Sequence, residues 1–432
     1  MPNNSSLVPS LFFLAGLSAT GALAIYLDGS FGNVTRTASW SVSQDTQREP
    51  QPARGLSAED LAYARTAWAY FDKNYQPATG LIDSVQGFPA GTLWDQGSYL
   101  LGMIAARSLG LISQQTLDQR ATALLNSFTR LALFEGRLPN KVYSTVSLDM
   151  VDYDGNPQPD GIGWSALDIA RMLSALRVLE LHHPHHGPDI RELLGNWDLS
   201  VMARDGRMMG SARIDGEVRL LQEGRIGYEQ YGARSAAMWG LDVLVAANAA
   251  PILRWHDLDG IEIPVDLRTA QHFDAITPVA SDPFFLQAIE MGFTEESKIL
   301  AERVFDAQHT RFRQTGQLTM VSESNIDQPP HFLYNSLFGN GIDWAVVTET
   351  GEHYPELRTI SLKSAFAWDA IYASAYSQQV LETLLPLATP DGWPSGTYEA
   401  DGQLNDIYTA NTNGVVLQAL YYKAHGPMMK LP

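Results

Sequence analysis

The chain has 432 residues, of which 45% are hydrophobic, and its formal net charge at pH 7 is −19. This length allows two average domains or one large domain, and no polar linker interrupts the middle, which favours one large domain. Nucleic acids and anionic membrane surfaces require clustered Lys and Arg. The sequence has no basic run, so we expect neither partner and favour an uncharged polymer as the ligand.

We interpret residues 1–27 as a signal peptide or membrane anchor. Residues 7–27 carry no charge, contain the cleavage-like Ala22-Leu23-Ala24 segment and are nearly long enough to span a bilayer. No Lys or Arg precedes them, and a buried first helix is the alternative. The chain has no Cys, which avoids unwanted disulfides in an oxidising compartment. We therefore expect export across a bacterial inner membrane, to a periplasmic protein or one anchored to that membrane and facing the periplasm.

Residues 28–56 are rich in Ser, Thr, Gln and Pro and are predicted to be a flexible tether, followed by a catalytic-type domain over residues 57–432. The domain opens with Ser57-Ala58-Glu59-Asp60, a helix N-terminus signature with apolar residues at helical spacing after it. Further predicted helices are Ser98–Leu109, Gln115–Leu133, Trp164–Leu181, Ile190–Leu199, Tyr231–Ala249, Pro283–Met291, Glu295–Phe312, Ser361–Leu385 and Asn413–His425.

The segments between these helices have an extended character. Lys141–Asp152, Arg311–Val321 and Thr397–Leu404 alternate in short strand style, and Arg207–Arg219 predicts a hairpin that turns at Asp215-Gly216. Helical hairpins that alternate with short strands and long aromatic loops are typical of an (α/α)6 toroid. The predicted fold class is therefore all-α, an (α/α)6 toroid with short β-hairpin insertions.

An aromatic residue or a glycine stands beside a carboxylate or amide at or near five helix entrances. These segments are Trp94-Asp95, Gly163-Trp164 with Asp168, Tyr228–Gly232, Trp368-Asp369 and Asn411–Gly414. Five such junctions suggest helices arranged around a common centre, with acids and rings collected at one end. Sugars need flat apolar faces and carboxylates together, so this pattern indicates a carbohydrate site.

Hydrolysis of a glycosidic bond requires a proton donor and a second carboxylate. Glu229 lies between Tyr228 and Tyr231 near a helix start, where burial among rings would keep it protonated. We therefore predict that Glu229 is the general acid. The alternative is a first-turn acid that the helix dipole favours.

Asp168, Asp95 and Asp369 are the candidates for the base or the water-positioning group. Asp168 and Asp369 lie on apolar helical strips, where an unpaired carboxylate is costly to bury. Pairing of Asp168 with Arg171 is the alternative for the first, and an ordinary N-cap is the alternative for Asp95.

Rings and polar groups near these acids are the predicted sugar contacts, with core packing or solvated loops as the alternative for each. Trp393 is expected to escape deep packing because turn-forming residues surround it. The predicted substrate-binding residues are Trp94, Trp164, Tyr228, Gln230, Tyr231, Trp368, Trp393, Glu399, Asn411 and Asn413.

We expect no metal and no cofactor. The His-rich segment at residues 182–186 has no spaced acidic partner in the sequence, so a solvated loop is favoured. Asp152-Tyr153-Asp154-Gly155-Asn156 begins like a calcium loop, but Pro157 and Gly163 occupy the positions that an EF-hand gives to Gly and Glu.

The Gly-Trp-Ser-x-x-Asp segment from Gly163 to Asp168 resembles a bacterial envelope family, domain-of-unknown-function family 3131. Thr92–Asp95, Gly227–Tyr231 and Asn411–Gly414 also resemble it, and the likeness covers about residues 57–427. That family is remotely similar to glucoamylase-like (α/α)6 glycoside hydrolases of the β-1,2-glucanase type. In those enzymes the proton donor lies in a Gly-aromatic-x-Glu segment, whereas Glu229 stands one position earlier.

The resemblance implies an exported glycoside hydrolase or transglycosylase that acts on a bacterial β-glucan, perhaps β-1,2-linked in kind, with an inverting mechanism favoured. Its partner would be an oligo- or polysaccharide, with membrane attachment through the N-terminal segment. The alternative is a non-catalytic glycan-binding or scaffolding subunit of an envelope polysaccharide synthesis system.

Overall fold

The computed structural model describes residues 48–269 and 276–430, and all of them belong to one compact unit. Eleven α-helices are found in these ranges. They are α1 (Ala58–Lys73), α2 (Leu93–Ser108), α3 (Gln114–Arg130), α4 (Ala166–His182), α5 (Gly187–Gly195), α6 (Tyr228–Ala237), α7 (Asp282–Leu286), which continues as a π-helix over Gln287–Met291, α8 (Glu295–Thr315), α9 (Leu362–Tyr372), α10 (Ala375–Leu384) and α11 (Ala410–His425).

Six helices form an inner layer in which the packing order follows the chain and returns to its start. Helix α2 contacts α4, α4 contacts α6, α6 contacts α7, α7 contacts α9, α9 contacts α11, and α11 contacts α2. Four of them, α2, α4, α9 and α11, are buried on nearly every side. A helix that is apolar all round must lie inside a protein, so the sequence of these four dictates the inner layer.

The other helices pack on the outside of this layer. Helix α1 contacts α11 and α2, α3 contacts α2 and α5, α5 contacts α4, α8 contacts α7, and α10 contacts α9. These helices are amphipathic. In α3 the buried residues Leu117, Ala121, Leu124 and Phe128 recur at helical spacing and the opposite face is exposed.

Short antiparallel strands border the helix entrances in seven small sheets within the described ranges. The strand orders are β1–β4–β5 (Ala90–Thr92, Val142–Ser144, Met150–Val151), β2–β3 (Leu133–Phe134, Leu138–Pro139), β6–β7–β8 (Ala203–Arg204, Arg207–Ile214, Glu217–Gln222), β10–β9 (Ile261–Asp266, Leu253–Leu258), β11–β12–β15 (Glu323–Asn325, Phe332–Asn335, Val346–Val347), β13–β14 (Phe338–Gly339, Ile342–Asp343) and β16–β17–β18 (Thr359–Ser361, Pro394–Tyr398, Leu404–Tyr408). Strands β1, β16 and β18 lead directly into α2, α9 and α11.

Two local predictions are confirmed by the backbone. The β7–β8 hairpin pairs Ile214 with Glu217 and turns at Asp215 and Gly216, both with positive φ, as a two-residue turn requires. Helix α1 starts after Ser57, whose Oγ accepts a hydrogen bond from Asp60 N–H at 3.0 Å, while Ser57 N–H donates to Asp60 Oδ2 at 2.9 Å. This reciprocal pair is a capping box.

Three element predictions are wrong. The helix predicted over Tyr231–Ala249 ends at Ala237, and turns and the β9–β10 hairpin follow it. The helix predicted over Ser361–Leu385 is two helices, because Ala373 is left-handed (φ 44°) and Ser374 caps a new start. Arg311–Val321 is not extended at its start, because α8 runs to Thr315. The all-α label is also too simple for a chain with this many strands.

The described end of the predicted tether is bonded to the domain. Arg54 N–H donates to the Lys423 carbonyl and Gln51 N–H to the Ile371 carbonyl, each at 2.7 Å. The predicted signal peptide or anchor lies outside the described residues. Across residues 48–269 and 276–430, no helix has both the length and the apolar character needed to cross a bilayer.

Candidate active site

The N-terminal ends of the inner helices gather at one end of the layer. Asp282 at the start of α7 forms an ion pair with Lys363 at the start of α9, with Oδ1 and Nζ 2.7 Å apart. Ser98 in the first turns of α2 donates a hydrogen bond to Asn411 at the start of α11 across 3.4 Å. Helix N-termini carry partial positive charge, so this end of the molecule favours carboxylates.

Asp168 lies in the first turn of α4 and is half-buried. Desolvation is the largest cause that raises the pKa of its carboxyl well above the ordinary value, and Glu223 and Asp95 raise it further. Lys141 acts in the opposite direction. A carboxyl that is both partly exposed and strongly desolvated lies in a recess rather than on a convex surface.

Glu223, which follows β8, closes the N-terminus of α4. Its Oε1 accepts a hydrogen bond from Ser165 Oγ and its Oε2 accepts one from Ala166 N–H, each at 2.6 Å. The two oxygens therefore satisfy donors at the helix start, as an anion at a helix N-terminus does. This arrangement places a second carboxylate beside Asp168.

Glu323 on β11 is the carboxyl best suited to donate a proton. Burial raises its pKa to about 7, and the neighbouring Asp282 carboxylate adds to that shift. Lys363, Tyr228 and Arg171 oppose it. A carboxyl with a pKa near 7 retains its proton in a large fraction of molecules at neutral pH, so Glu323 can act as an acid there.

Tyr334 connects the two carboxyls. It pairs with Glu323 in the β11–β12 register. After desolvation, the causes that raise the pKa of its phenol are Glu323, Glu349, Asp168 and Glu223, in that order. Since one hydroxyl experiences all four acids, Glu323 and Asp168 face the same recess.

Tyr153 stands over this recess from the loop after β5. Its side chain is 63% exposed, yet desolvation and the charges of Asp168, Glu223 and Glu349 raise the pKa of its phenol. The exposure belongs to the ring as a whole and the crowding to its hydroxyl end. Asp152 braces the loop by accepting hydrogen bonds from the backbone at residues 154 and 156, at 3.0 and 2.8 Å.

A buried ion pair lies between the inner helices that carry these acids. Arg171 Nη1 lies 2.7 Å from Glu290 Oε1, and neither side chain is exposed. Tyr231 and Ser174 donate hydrogen bonds to Glu290 at 2.8 and 2.9 Å, and Arg171 lies over the Trp94 ring at 4.7 Å. Arg171 is therefore engaged by Glu290, and the alternative of an Asp168–Arg171 pair is wrong.

Glu229, the predicted general acid, occupies a different environment. It is 2% exposed, and its Oε2 lies 2.5 Å from Arg268 Nη2, which also binds Asp266 at 2.7 Å. Desolvation raises the pKa of Glu229, and Arg268 opposes the rise by stabilising the carboxylate. A glutamate held by a guanidinium and closed to solvent cannot reach a sugar, so its contacts are those of a structural ion pair.

The other two predicted acids separate. Asp95 is half-buried at the start of α2, accepts hydrogen bonds from Thr92 Oγ1 at 2.7 Å and Ser84 Oγ at 2.5 Å, and contributes to the field at Asp168. It therefore borders the recess. Asp369 lies toward the C-terminal end of α9, accepts a hydrogen bond from Ser377 Oγ at 3.1 Å and has Lys423 nearby. The structure does not bring Asp369 to the recess.

Most of the predicted sugar-stacking rings are core residues. Trp393 is fully buried and its indole N–H donates to the Tyr63 carbonyl at 3.0 Å, so the expectation that it escapes deep packing is wrong. Trp164, Trp368 and Tyr231 are also buried, with 0–1% exposure. Trp94 and Tyr228 keep 9% exposure each and contact one another edge to face, with Tyr228 beside Glu323.

The predicted polar contacts are likewise divided. Gln230 accepts from Gly227 N–H at 2.7 Å, and Asn413 accepts from Trp393 N–H at 2.8 Å, so both buried amides support the backbone. Glu399 is bound by both terminal nitrogens of Arg311 at 2.7 Å. Asn411 remains half-buried at the start of α11 beside Ser98.

Sequence reasoning missed Glu323, Glu223, Tyr153 and Tyr334. Each lies in a strand or loop between helices, whereas the search began from helix entrances. The Ser-Glu-Ser-Asn run at residues 322–325 interrupts an apolar stretch, and that was the available signal for Glu323.

The comparisons with known proteins agree on family and fold. Residues 62–426 match the family described as "Protein of unknown function (DUF3131)". No curated protein matches the chain in sequence.

Solved structures share the fold at low identity. An endo-β-1,2-glucanase from Chitinophaga pinensis, in complex with sophorotriose and glucose, has a TM-score of 0.62 at 10% identity and covers 87% of this chain and 94% of its own. A provisionally named glucoamylase from Bacteroides caccae has a TM-score of 0.61 at 13% identity, with 86% and 95% covered. An endo-β-1,2-glucanase from Talaromyces funiculosus, in complex with sophorose, has a TM-score of 0.57 at 12% identity, with 84% of each chain covered. The described residues therefore have a glucoamylase-like fold.

Proposed function

The chain belongs to the DUF3131 family, and from that premise and the acidic recess we propose that it is a glycoside hydrolase acting on a glucan. The observation that carries this proposal is the pair Asp168 and Glu323. Both carboxyls have raised pKa values, and both act on the Tyr334 hydroxyl. Two such carboxyls in one recess are what glycoside hydrolysis needs.

The proposed architecture is an (α/α)6 toroid with strand-rich insertions. Its support is the packing order of the six inner helices, which returns from α11 to α2, and the outer helices that pack on them. The neighbours that bind sophorotriose and sophorose have the same fold. We therefore propose a β-glucan as substrate, with a β-1,2 linkage as the first to test.

In the proposed reaction, Glu323 transfers its proton to the glycosidic oxygen as the bond between that oxygen and the anomeric carbon breaks. Asp168, in its ionised form, takes a proton from the water whose oxygen bonds to the anomeric carbon. Its raised pKa makes this carboxylate a stronger base than an ordinary aspartate. Water that attacks from the opposite face inverts the anomeric configuration, and we propose this course.

Tyr153 is proposed as a sugar platform at the mouth of the recess. Its exposed ring offers a flat apolar face, and the braced loop reduces the entropy lost when a sugar stacks on it. Trp94 and Tyr228 supply the partly accessible rings deeper in the recess. We also propose that the enzyme acts after export, in the periplasm or on the inner membrane, on an envelope glucan.

The experiment incubates the purified protein with a panel of β-glucans that differ in linkage, and follows product size by mass and product anomer by NMR. We expect cleavage of one linkage class with an inverted anomer. Asp168→Asn should lower the rate by about 10²–10⁴-fold, while Glu356→Gln, an exposed acid outside the recess, should not change it. Oligosaccharides that bind with saturation and survive long incubation would instead support the glycan-binding subunit and reject the hydrolase.

A further inference from the structure

A second cluster of chemistry-bearing side chains lies at the other end of α4. Pro184–His186 form a 3₁₀ turn between α4 and α5, and Asp118 projects toward it from α3. His185 Nε2 and His186 Nε2 lie 2.9 and 3.1 Å from the same oxygen, Asp118 Oδ1. The ligand atoms of the three residues all lie within 4.8 Å of one another.

We propose that Asp118, His185 and His186 bind a first-row divalent cation, with Zn²⁺ as its representative. Two imidazoles and one carboxylate form a donor set that suits this class, and a water completes a tetrahedral site. In tetrahedral coordination at about 2.1 Å, ligand atoms lie about 3.4 Å apart. The present 2.9 and 3.1 Å separations need to open by only a few tenths of an ångström.

The surroundings suit an ion that enters from solvent. The side chains of His185 and Asp118 are 55% and 36% exposed, whereas His186 is 4% exposed and fixes the inner side. Gln114 Nε2 donates to Asp118 Oδ1 at 2.9 Å and contacts His183 Nδ1 at 3.1 Å, which orients the carboxylate from behind. Such outer contacts are a regular part of metal sites.

The cation would connect two outer-layer elements that the chain otherwise joins through α4. Asp118 belongs to α3, and the two histidines lead into α5. The site is also remote from the acidic recess, because Asp168 and His182 lie at opposite ends of the 17-residue helix α4, about 20 Å apart at 1.5 Å per residue. Its role is therefore to stabilise the outer layer, separately from glucan cleavage.

The test uses the untagged full chain, dialysed against a chelator and titrated with ZnCl₂ by calorimetry. We expect one Zn²⁺ per chain and a thermal midpoint that rises with Zn²⁺ concentration. His185→Gln and Asp118→Asn should each weaken binding by at least ~10-fold. Asp189→Asn, an exposed acid on α5, is the matched control and should bind as the unmodified protein does.

Absence of saturable Zn²⁺ binding would overturn the proposal. Equal affinity in His185→Gln and in the unmodified protein would also overturn it, because the ion would then sit elsewhere. His185 is exposed, so its substitution should leave the fold intact, which circular dichroism checks. The measurement needs no glucan, so its result does not depend on the proposed hydrolase.

Discussion

Two buried glutamates, Glu229 and Glu323, differ in what faces them rather than in how deeply they lie. Desolvation is the largest cause of the raised pKa in both. Glu229 meets the Arg268 guanidinium at 2.5 Å, whereas Glu323 meets another carboxylate, Asp282, and the Tyr228 phenol. Burial near tyrosines is therefore an insufficient criterion for a catalytic acid.

The partner decides which protonation state the site stores. A guanidinium stabilises the ionised form and turns a buried acid into part of a structural ion pair. A like charge disfavours ionisation and leaves a proton available for transfer. Asp282, itself paired with Lys363, provides that like charge for Glu323.

The largest expected effect is the contrast between Glu323→Gln and Glu229→Gln in glucan cleavage. The first removes the proposed proton donor and should lower kcat by about 10²–10⁴-fold. The second leaves the recess unchanged, so its kcat should stay within about twofold. The measurement is the initial rate of product release on the best glucan for each purified variant.

Glu229→Gln is the matched control for Glu323→Gln because both remove one buried charge and keep side-chain size. Circular dichroism on each variant separates loss of chemistry from loss of fold. If Glu229→Gln were inactive and Glu323→Gln active, the two roles proposed for these residues would have to be exchanged.

The next effect concerns stability at the Glu229 end of the comparison. Arg268→Ala leaves Glu229 and Asp266 buried without their shared guanidinium, so we expect the free energy of unfolding to fall by about 3–5 kcal/mol. Arg254→Ala, on the exposed side of the β9–β10 hairpin, should change it by less than about 0.5 kcal/mol. Urea denaturation measures both, and equal values for the two variants would show that the ion pair contributes nothing.

The sequence predicts the helices better than the site. Capping signals and helical spacing place α1, α4, α8 and α11 correctly, because those patterns are local. The segment predicted as Ser361–Leu385 fails at one residue, Ala373, whose left-handed conformation no local pattern marks.

The site depends on contacts between distant segments, which no local pattern encodes. Glu323 and Asp168 are far apart in the chain and meet only because strands β11 and β12 fold over the helix ends. Arg268 is equally distant from Glu229, so its pairing could not be read from the Tyr228–Tyr231 segment. By contrast, Asp168 and Asp95 were found because each lies in the first turn of a helix after a Ser or Thr cap.

A smaller effect is expected in the pH dependence of stability. The pKa of Glu323 is about 7 in the folded protein and 4.5 as its ordinary value. The stability associated with this group is fully present below about 4.5 and is lost as pH rises through 7, because the unfolded chain ionises first. Glu323→Gln removes this loss, so the variant should be more stable than the unmodified protein at pH 8 by at most about 3 kcal/mol.

Urea denaturation at pH 5, 6, 7 and 8 checks this prediction, with Glu356→Gln as an exposed control. The difference between Glu323→Gln and the unmodified protein should grow with pH across this range. A constant difference, or one that shrinks as pH rises, would contradict the raised pKa. The gain also predicts a trade of stability for activity at this position.

The smallest effect is expected for Tyr228→Phe. The Tyr228 phenol stabilises the ionised form of Glu323 and so lowers its pKa, against the larger effect of burial. Removing the hydroxyl should raise that pKa, and the alkaline limb of kcat/KM, which reports the free enzyme, should move to higher pH by less than about one unit. Tyr75→Phe, a half-buried tyrosine on the α1 side, should leave the limb in place. A shift to lower pH in Tyr228→Phe would mean that the hydroxyl stabilises the protonated acid, and the partner rule drawn from Glu229 and Glu323 would then need a different account of the phenol.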